Sequence, residues 1–339
     1  MKRTKKLLAG IIAATMMLSM STTAFADSPQ PGGGDSITIT KEYNAVNEGT
    51  KAPAETFQFA VENVSVTDAA AGITAENMPK LTVGNAVFNE EVTGIGTADI
   101  KVTLPEYESV GIYTYKITET ASNTAGVTYD SSPVYVKVTV TRGEDGNLVY
   151  STAVRKGEED AAEKVGDGDD NTAFTNTYSA GSLSITKKIS GNLADEDKYF
   201  DVTVRLTGDG SSEYADAYTV TGGSYEENPT TIAVGTPAAF KVKANDTIKI
   251  ENLPYGVTYT VEEADYTGEN GGYEPAQYTF NDENKTIDSE ADTVTITNAK
   301  AAGEIDTGIN MDSMPYILIF AGVVVIAAVM IVRRRRIDD

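Results

Sequence analysis

The chain has 339 residues, a formal net charge of −23, and no cysteine, histidine or tryptophan. So acidic a balance argues against nucleic acid as a partner, and without cysteine an exported protein forgoes disulfides. Without histidine the commonest general base and metal ligand is missing, so a conventional enzyme is not expected, and neither is a metal or a cofactor.

Met1 to Ala26 reads as a secretory signal peptide. Lys2, Arg3, Lys5 and Lys6 give the positive start and Leu7 to Met20 the apolar core. Ala24-Phe25-Ala26 is the small-x-small pattern that signal peptidase accepts, which places the cut after Ala26. The apolar run is short for a bilayer span, which argues against a retained anchor. Residues 27–34 form a flexible lead-in, with proline and three glycines between Gln30 and Gly34.

Between the two processing signals lie about 280 residues, the length of two ordinary domains, divided here after the lead-in as 35–179 and 180–300. This body is dense in Thr, Val, Ile and Tyr at period two, broken by Gly, Asn, Asp and Pro, which predicts short antiparallel strands. Such runs lie at 37–41, 57–61, 113–119 and 134–140. With no helical period in the body, the fold expected is all-β: two tandem Ig-like β-sandwich domains. Arg142 to Asn171 holds a hairpin turn at Asp145-Gly146-Asn147 and then a long acidic loop. Asp167, Asp169 and Asp170 invite a calcium reading, but the glycine and closing glutamate of an EF-hand are absent, leaving a solvated charge run.

Residues 301–339 close the chain. Tyr316 to Val332 is uncharged and just long enough to cross a bilayer as a helix. Arg333 to Arg336 follow at once, and clustered arginine stays on the cytoplasmic side, so the body lies outside the cell. Ahead of the span stands Glu304-Ile305-Asp306-Thr307-Gly308. This order of Thr-Gly, spacer, apolar span and basic tail resembles the sorting signal read by sortase transpeptidases. In that family a sortase cysteine attacks the threonine carbonyl, releases the glycine side and passes the acyl group to an amine. The resemblance implies Thr307 as acyl donor and Gly308 as the departing side. Ile305 and Asp306 stand where a proline is usual and Glu304 where leucine is usual, so the resemblance does not identify the sortase.

The two halves of the body repeat one another. The first opens with Ser36 to Lys41 and closes with Ala173 to Tyr178; the second opens with Leu183 to Lys187 and closes with Val294 to Asn298. Each half has one strand ending in glutamate, Glu119 or Glu263, at a lysine-to-glutamate separation of 78 in the first half and 76 in the second. The glutamate-to-asparagine spans are 57 and 35, an excess ascribed largely to the acidic loop. Strand side chains alternate faces, so Lys41 continues the face of Ile37 and Ile39, and Asn176 that of Phe174. Lys187 and Asn298 do the same with Ile185 and Ile296, whereas Lys188 has outward parity. Burying Lys, Glu and Asn unpaired is costly, so in each half the three are expected to meet.

If they meet, a reaction is available. A lysine amine in an apolar core is held neutral and nucleophilic, and a buried carboxylic acid is able to hydrogen-bond the asparagine carboxamide oxygen and shuttle protons. Attack on the carboxamide carbon expels ammonia and leaves an amide cross-link, with proximity supplied by the fold. It is a single-turnover self-modification, with Glu119 and Glu263 as proton shuttles.

With these residues in view, the chain resembles the backbone (major) pilins of Gram-positive bacteria, in the streptococcal pilin isopeptide-linkage family. The resemblance runs from signal peptide to sorting tail. It implies self-formed Lys41–Asn176 and Lys187–Asn298 bonds, and an acceptor lysine late in the first domain that the pilin sortase joins to the threonine of the next subunit. Lys164 matches that acceptor, with Lys156 the rival. Implied partners are neighbouring copies of the chain, the pilin sortase, signal peptidase, minor and tip pilins and cell-wall peptidoglycan, at the surface of a Gram-positive cell. The alternative is an adhesin or minor pilin anchored singly to the wall through Thr307.

Overall fold

In the computed structural model the described residues are 30–31, 35–161, 164–166 and 172–301. Ala26 and the signal peptide, the aspartates at 167, 169 and 170, and Thr307, Gly308, the 316–332 span and the arginine tail lie outside them. Among the described residues no helix is long and apolar enough to cross a membrane.

The architecture is all-β. The first half contains β1 (Gln30–Pro31), β2 (Ser36–Ala45), β3 (Glu55–Thr67), β4 (Thr82–Val83), β5 (Ala86–Phe88), β6 (Ile95–Thr103), β7 (Gly111–Thr120), β8 (Val127–Thr128), β9 (Val134–Arg142), β10 (Leu148–Lys156) and β11 (Thr172–Tyr178). The second contains β12 (Ala180–Ser190), β13 (Phe200–Thr207), β14 (Tyr218–Gly222), β15 (Thr231–Ile232), β16 (Ala238–Val242), β17 (Thr247–Pro254), β18 (Thr258–Glu263), β19 (Gln277–Phe280) and β20 (Ala291–Ala299). The strands form four sheets, ordered β1-β10-β9-β7-β3-β5, β4-β6-β2-β11-β8, β15-β14-β17-β12-β20-β19 and β16-β13-β18.

Period two in the sequence becomes alternation in burial. Along β2 the residues Ile37, Ile39, Lys41, Tyr43 and Ala45 are buried and their neighbours are not; along β13 the buried set is Phe200, Val202, Val204 and Leu206. Each half closes its own apolar core between two facing sheets, around Ile39, Phe57, Tyr115 and Phe174 in the first and Ile185, Val204, Phe240 and Ile296 in the second. Burial of this kind contributes about 1.5–3 kcal/mol per large apolar side chain.

Two pairings set the frame of the candidate sites. β2 lies parallel to β11, and β12 parallel to β20. In each half, then, the opening strand is bonded side by side to the closing strand, and its other edge is covered by an antiparallel neighbour, β6 or β17.

Two expectations change. Gln30 and Pro31, placed in a flexible lead-in, pair with Tyr150 and Val149 on β10. The physical reason is that β10 is otherwise an edge with free backbone groups, which attract a passing strand. The excess between Glu119 and Asn176 is only partly the acidic loop: the β9–β10 hairpin occupies Val134 to Lys156 beside β7, and the β16-β13-β18 sheet carries no such addition beside β18.

The halves meet through backbone-like bonds. Asn252, at φ 59°, accepts from the Lys51 N–H and donates to the Lys51 carbonyl, each at 2.9 Å. The Ala125 N–H donates to the Glu213 carbonyl at 2.9 Å, and the Glu213 N–H to the Asn123 carbonyl at 2.8 Å.

Candidate functional site

The structure assembles both expected triads. Strand register explains how. Lys41 sits opposite Phe174 on the parallel neighbour, and Asn176 lies two residues further on, on the same face; Lys187 sits opposite Ile296, with Asn298 again two residues on. Two steps along a strand restore the face, so the same diagonal is built twice. The glutamates arrive from the facing sheets, Glu119 on β7 and Glu263 on β18.

In the first site Lys41 Nζ donates to Glu119 Oε2 at 2.6 Å, with both side chains fully buried. Asn176 Nδ2 donates to the other oxygen, Oε1. One carboxylate thus touches both the lysine amine and the asparagine carboxamide nitrogen. Asn176 Oδ1 accepts from the backbone N–H of Asp130 at 2.8 Å. This corrects the expectation that the glutamate hydrogen-bonds the carboxamide oxygen: a backbone donor already occupies that oxygen, so the amide presents its nitrogen to Glu119.

In the second site Lys187 Nζ donates to Asn298 Oδ1, and to the Lys188 carbonyl at 3.4 Å. Glu263 Oε2 is 3.0 Å from the same nitrogen, an ion-pair separation with both side chains buried. Among the described residues neither Glu263 oxygen accepts an aligned hydrogen bond. The amine is aimed at the carboxamide and the carboxylate stands beside it. Lys188 is exposed, as its parity requires.

Burial pushes both lysines below their ordinary range. For Lys41 the hydrogen bond and charge of Glu119 and the charge of Asp130 oppose the shift, and Lys156 adds to it. For Lys187 only Glu263 opposes. Desolvation wins in both because taking an ammonium out of water outweighs the carboxylates beside it.

An aromatic ring packs against the lysine amine in each half, and sequence reasoning did not single it out. Lys41 Nζ lies 4.8 Å from the Phe57 ring centre and Lys187 Nζ 4.1 Å from that of Phe200. Phe57 is two residues before Phe59, which faces Glu119 across the ladder; Phe200 is two before Val202, which faces Glu263. The available signal was an aromatic at the start of the second long strand of each half.

The two acceptor candidates differ in environment. Lys156 Nζ donates to Asp130 Oδ2 at 2.7 Å with its side chain 35% exposed. Lys164 is exposed, beside Val165, which is buried and whose N–H bonds the Val154 carbonyl at 2.9 Å. A half-buried carboxyl, Glu55, also lies near the first site: partial burial raises it, while the Tyr129 hydroxyl donates to it at 2.6 Å.

Residues 37–179 match the family described as the Spy0128-like isopeptide containing domain, and residues 181–300 match a domain of unknown function, DUF7601. A pilin of Streptococcus pyogenes serotype M1 is 26% identical over 331 residues, covering 89% of this chain and 93% of that protein. A solved structure of an alanine variant of the major pilin from Streptococcus pyogenes aligns with a TM-score of 0.50 at 22% identity, covering 79% of this chain and all of the other. The unsubstituted major pilin aligns at 0.49 and 23% identity, over 79% and 99%. The likeness to the alanine variant bears on fold.

Proposed function

We propose that this chain, a pilin-family protein with a Spy0128-like isopeptide containing domain at residues 37–179, builds the shaft of a Gram-positive pilus. The observation that carries the reading is the duplicated site: two buried Lys–Glu–Asn sets, each tying the opening strand of a sandwich to its closing strand.

The chemistry follows from the first site. Neutral Lys41 attacks Asn176 Cγ, and the carbonyl electrons move onto Oδ1. Glu119 accepts the proton shed by the amine and delivers it to Nδ2, which departs as ammonia. One C–N bond forms, one breaks, and no oxidant or cofactor enters. Lys187, Glu263 and Asn298 repeat the step. Positioning and desolvation supply the rate. Tension entering a sandwich at its first strand and leaving at its last then crosses an amide bond directly. The chain is a substrate of processing enzymes and turns over nothing else.

Assembly uses the ends. Signal peptidase cuts after Ala26, the 316–332 span holds the precursor, and a pilin sortase cleaves between Thr307 and Gly308 and joins Thr307 to a lysine of the next subunit. Lys164 is the acceptor favoured, because an exposed amine beside an anchored Val165 is open to an acyl-enzyme, whereas the Lys156 amine is engaged by Asp130. Peptidoglycan, minor pilins and tip pilins are the remaining partners.

The test is the wall extract of the producing cell. It yields a ladder of high-mass species that survives boiling in detergent, lost in Lys164→Arg and kept in Lys156→Arg. Monomer alone, with a competent sortase present, replaces the shaft by a singly anchored adhesin; loss of the ladder in Lys156→Arg only moves the acceptor to Lys156.

A further inference from the structure

The Asp130 N–H sits where charge develops in the first site. When Lys41 attacks, negative charge gathers on Asn176 Oδ1, and the Asp130 N–H is 2.8 Å from that atom, within the range of a preorganised oxyanion donor. Its position is itself secured. The Asp130 carboxylate is only 8% exposed. Oδ2 accepts from Lys156 Nζ at 2.7 Å and from the Thr175 N–H at 2.9 Å, and Oδ1 from the Ser132 N–H at 2.9 Å. Thr175 immediately precedes Asn176, so the clamp ties the donor to the strand that carries the acceptor. Burial pushes the Asp130 carboxyl up, but Lys156 and the backbone donors outweigh it and hold it below the ordinary carboxylate range. The second site lacks this device: Asn298 Oδ1 faces Lys187 Nζ, and among the described residues no backbone N–H donates to it.

We propose that the Asp130 backbone N–H is the oxyanion donor for the Lys41–Asn176 bond, and that Lys156 is a positioning residue acting through the Asp130 carboxylate. This rests on the cross-linking reaction proposed above. It also explains why Lys156, on the hairpin present only in the first half, is held back as an ion-pair partner.

The test follows the full chain through pulse synthesis and chase, with peptide mapping of both cross-links over time. Lys156→Met slows the Lys41–Asn176 bond by about a hundredfold, the effect of misplacing a reacting group by about 1 Å, while the Lys187–Asn298 bond keeps its wild-type rate. Lys156→Arg, which retains the charge pair, restores the rate. Asp130→Asn, of equal size but uncharged, is slowed like Lys156→Met. Wild-type rates of the first bond in both Lys156→Met and Asp130→Asn overturn the inference, as does slowing that Lys156→Arg does not rescue. If wild-type chain forms neither bond, it is the cross-linking reaction itself that has failed. A readout independent of rate uses the Glu119→Ala protein, in which the first site cannot react. There the Asp130 amide proton resonates far downfield and shifts upfield when Lys156→Met is added. An unmoved resonance in a folded double variant contradicts the positioning role.

Discussion

The two halves of the molecule solve one problem with different surroundings. Both place lysine and asparagine on a parallel pair of terminal strands at the same diagonal, bring a glutamate from the facing sheet, and set a phenylalanine against the amine. The first half then adds the β9–β10 hairpin, the Lys156–Asp130 clamp and a backbone donor on the carboxamide. The second half dispenses with all three, in a three-stranded facing sheet, and brings Lys187 straight onto Asn298. On the proposed reaction, what is common to both is what the chemistry requires: register, a buried amine and one carboxylate. What differs is the set of groups around each carboxamide.

The largest expected effect separates the halves outright. Glu119→Ala abolishes the first bond and leaves the second; Glu263→Ala does the reverse. Each removes a cross-link closing a long loop, a loss of about 5 kcal/mol on the chain-entropy scale used for disulfides. Thermal unfolding with peptide mapping checks this, and a variant that loses both bonds or neither breaks the independence of the two sites.

A smaller effect depends on pH. Asn176→Ala or Asn298→Ala leaves a free buried lysine whose folded value is lowered below the ordinary 10.5. Between the lowered value and 10.5 the unfolded chain binds the extra proton, so stability rises with pH in that window, by at most about 1.4 kcal/mol per pH unit. Below the lowered value both states are protonated and the penalty is constant. Wild-type chain, its amines consumed as amides in the proposed reaction, has no such slope; denaturant titrations across the window distinguish the two.

The smallest effect compares the rings. Phe57→Leu and Phe200→Leu each destabilise by about 1 kcal/mol. Phe200→Leu slows its own bond more, because its ring lies nearer the amine, 4.1 Å against 4.8 Å. Equal slowing, measured by the same chase, removes the ring from the account.

Much of this was legible in the residues. Alternation located the long strands, and parity put Lys41, Asn176, Lys187 and Asn298 on inward faces because side-chain direction in a strand is set by count alone. Repetition picked Glu119 and Glu263 from many carboxylates. The Asp130 donor was not legible, since a backbone N–H has no residue type to mark it. Nor was the task of Lys156, twenty residues before Asn176 and returned to its neighbourhood only by a hairpin. The orientation of the Asn176 amide followed from that same hidden donor. The pairing of Gln30–Pro31 with β10 depended on an edge that only the assembled sheet exposes.

The central claim is tested most directly by the intact mass of the exported body. It should fall short of the sequence mass by two ammonia molecules, with digests yielding one branched peptide joining Lys41 to Asn176 and one joining Lys187 to Asn298. A full sequence mass, with all four residues recovered in linear peptides, would contradict it.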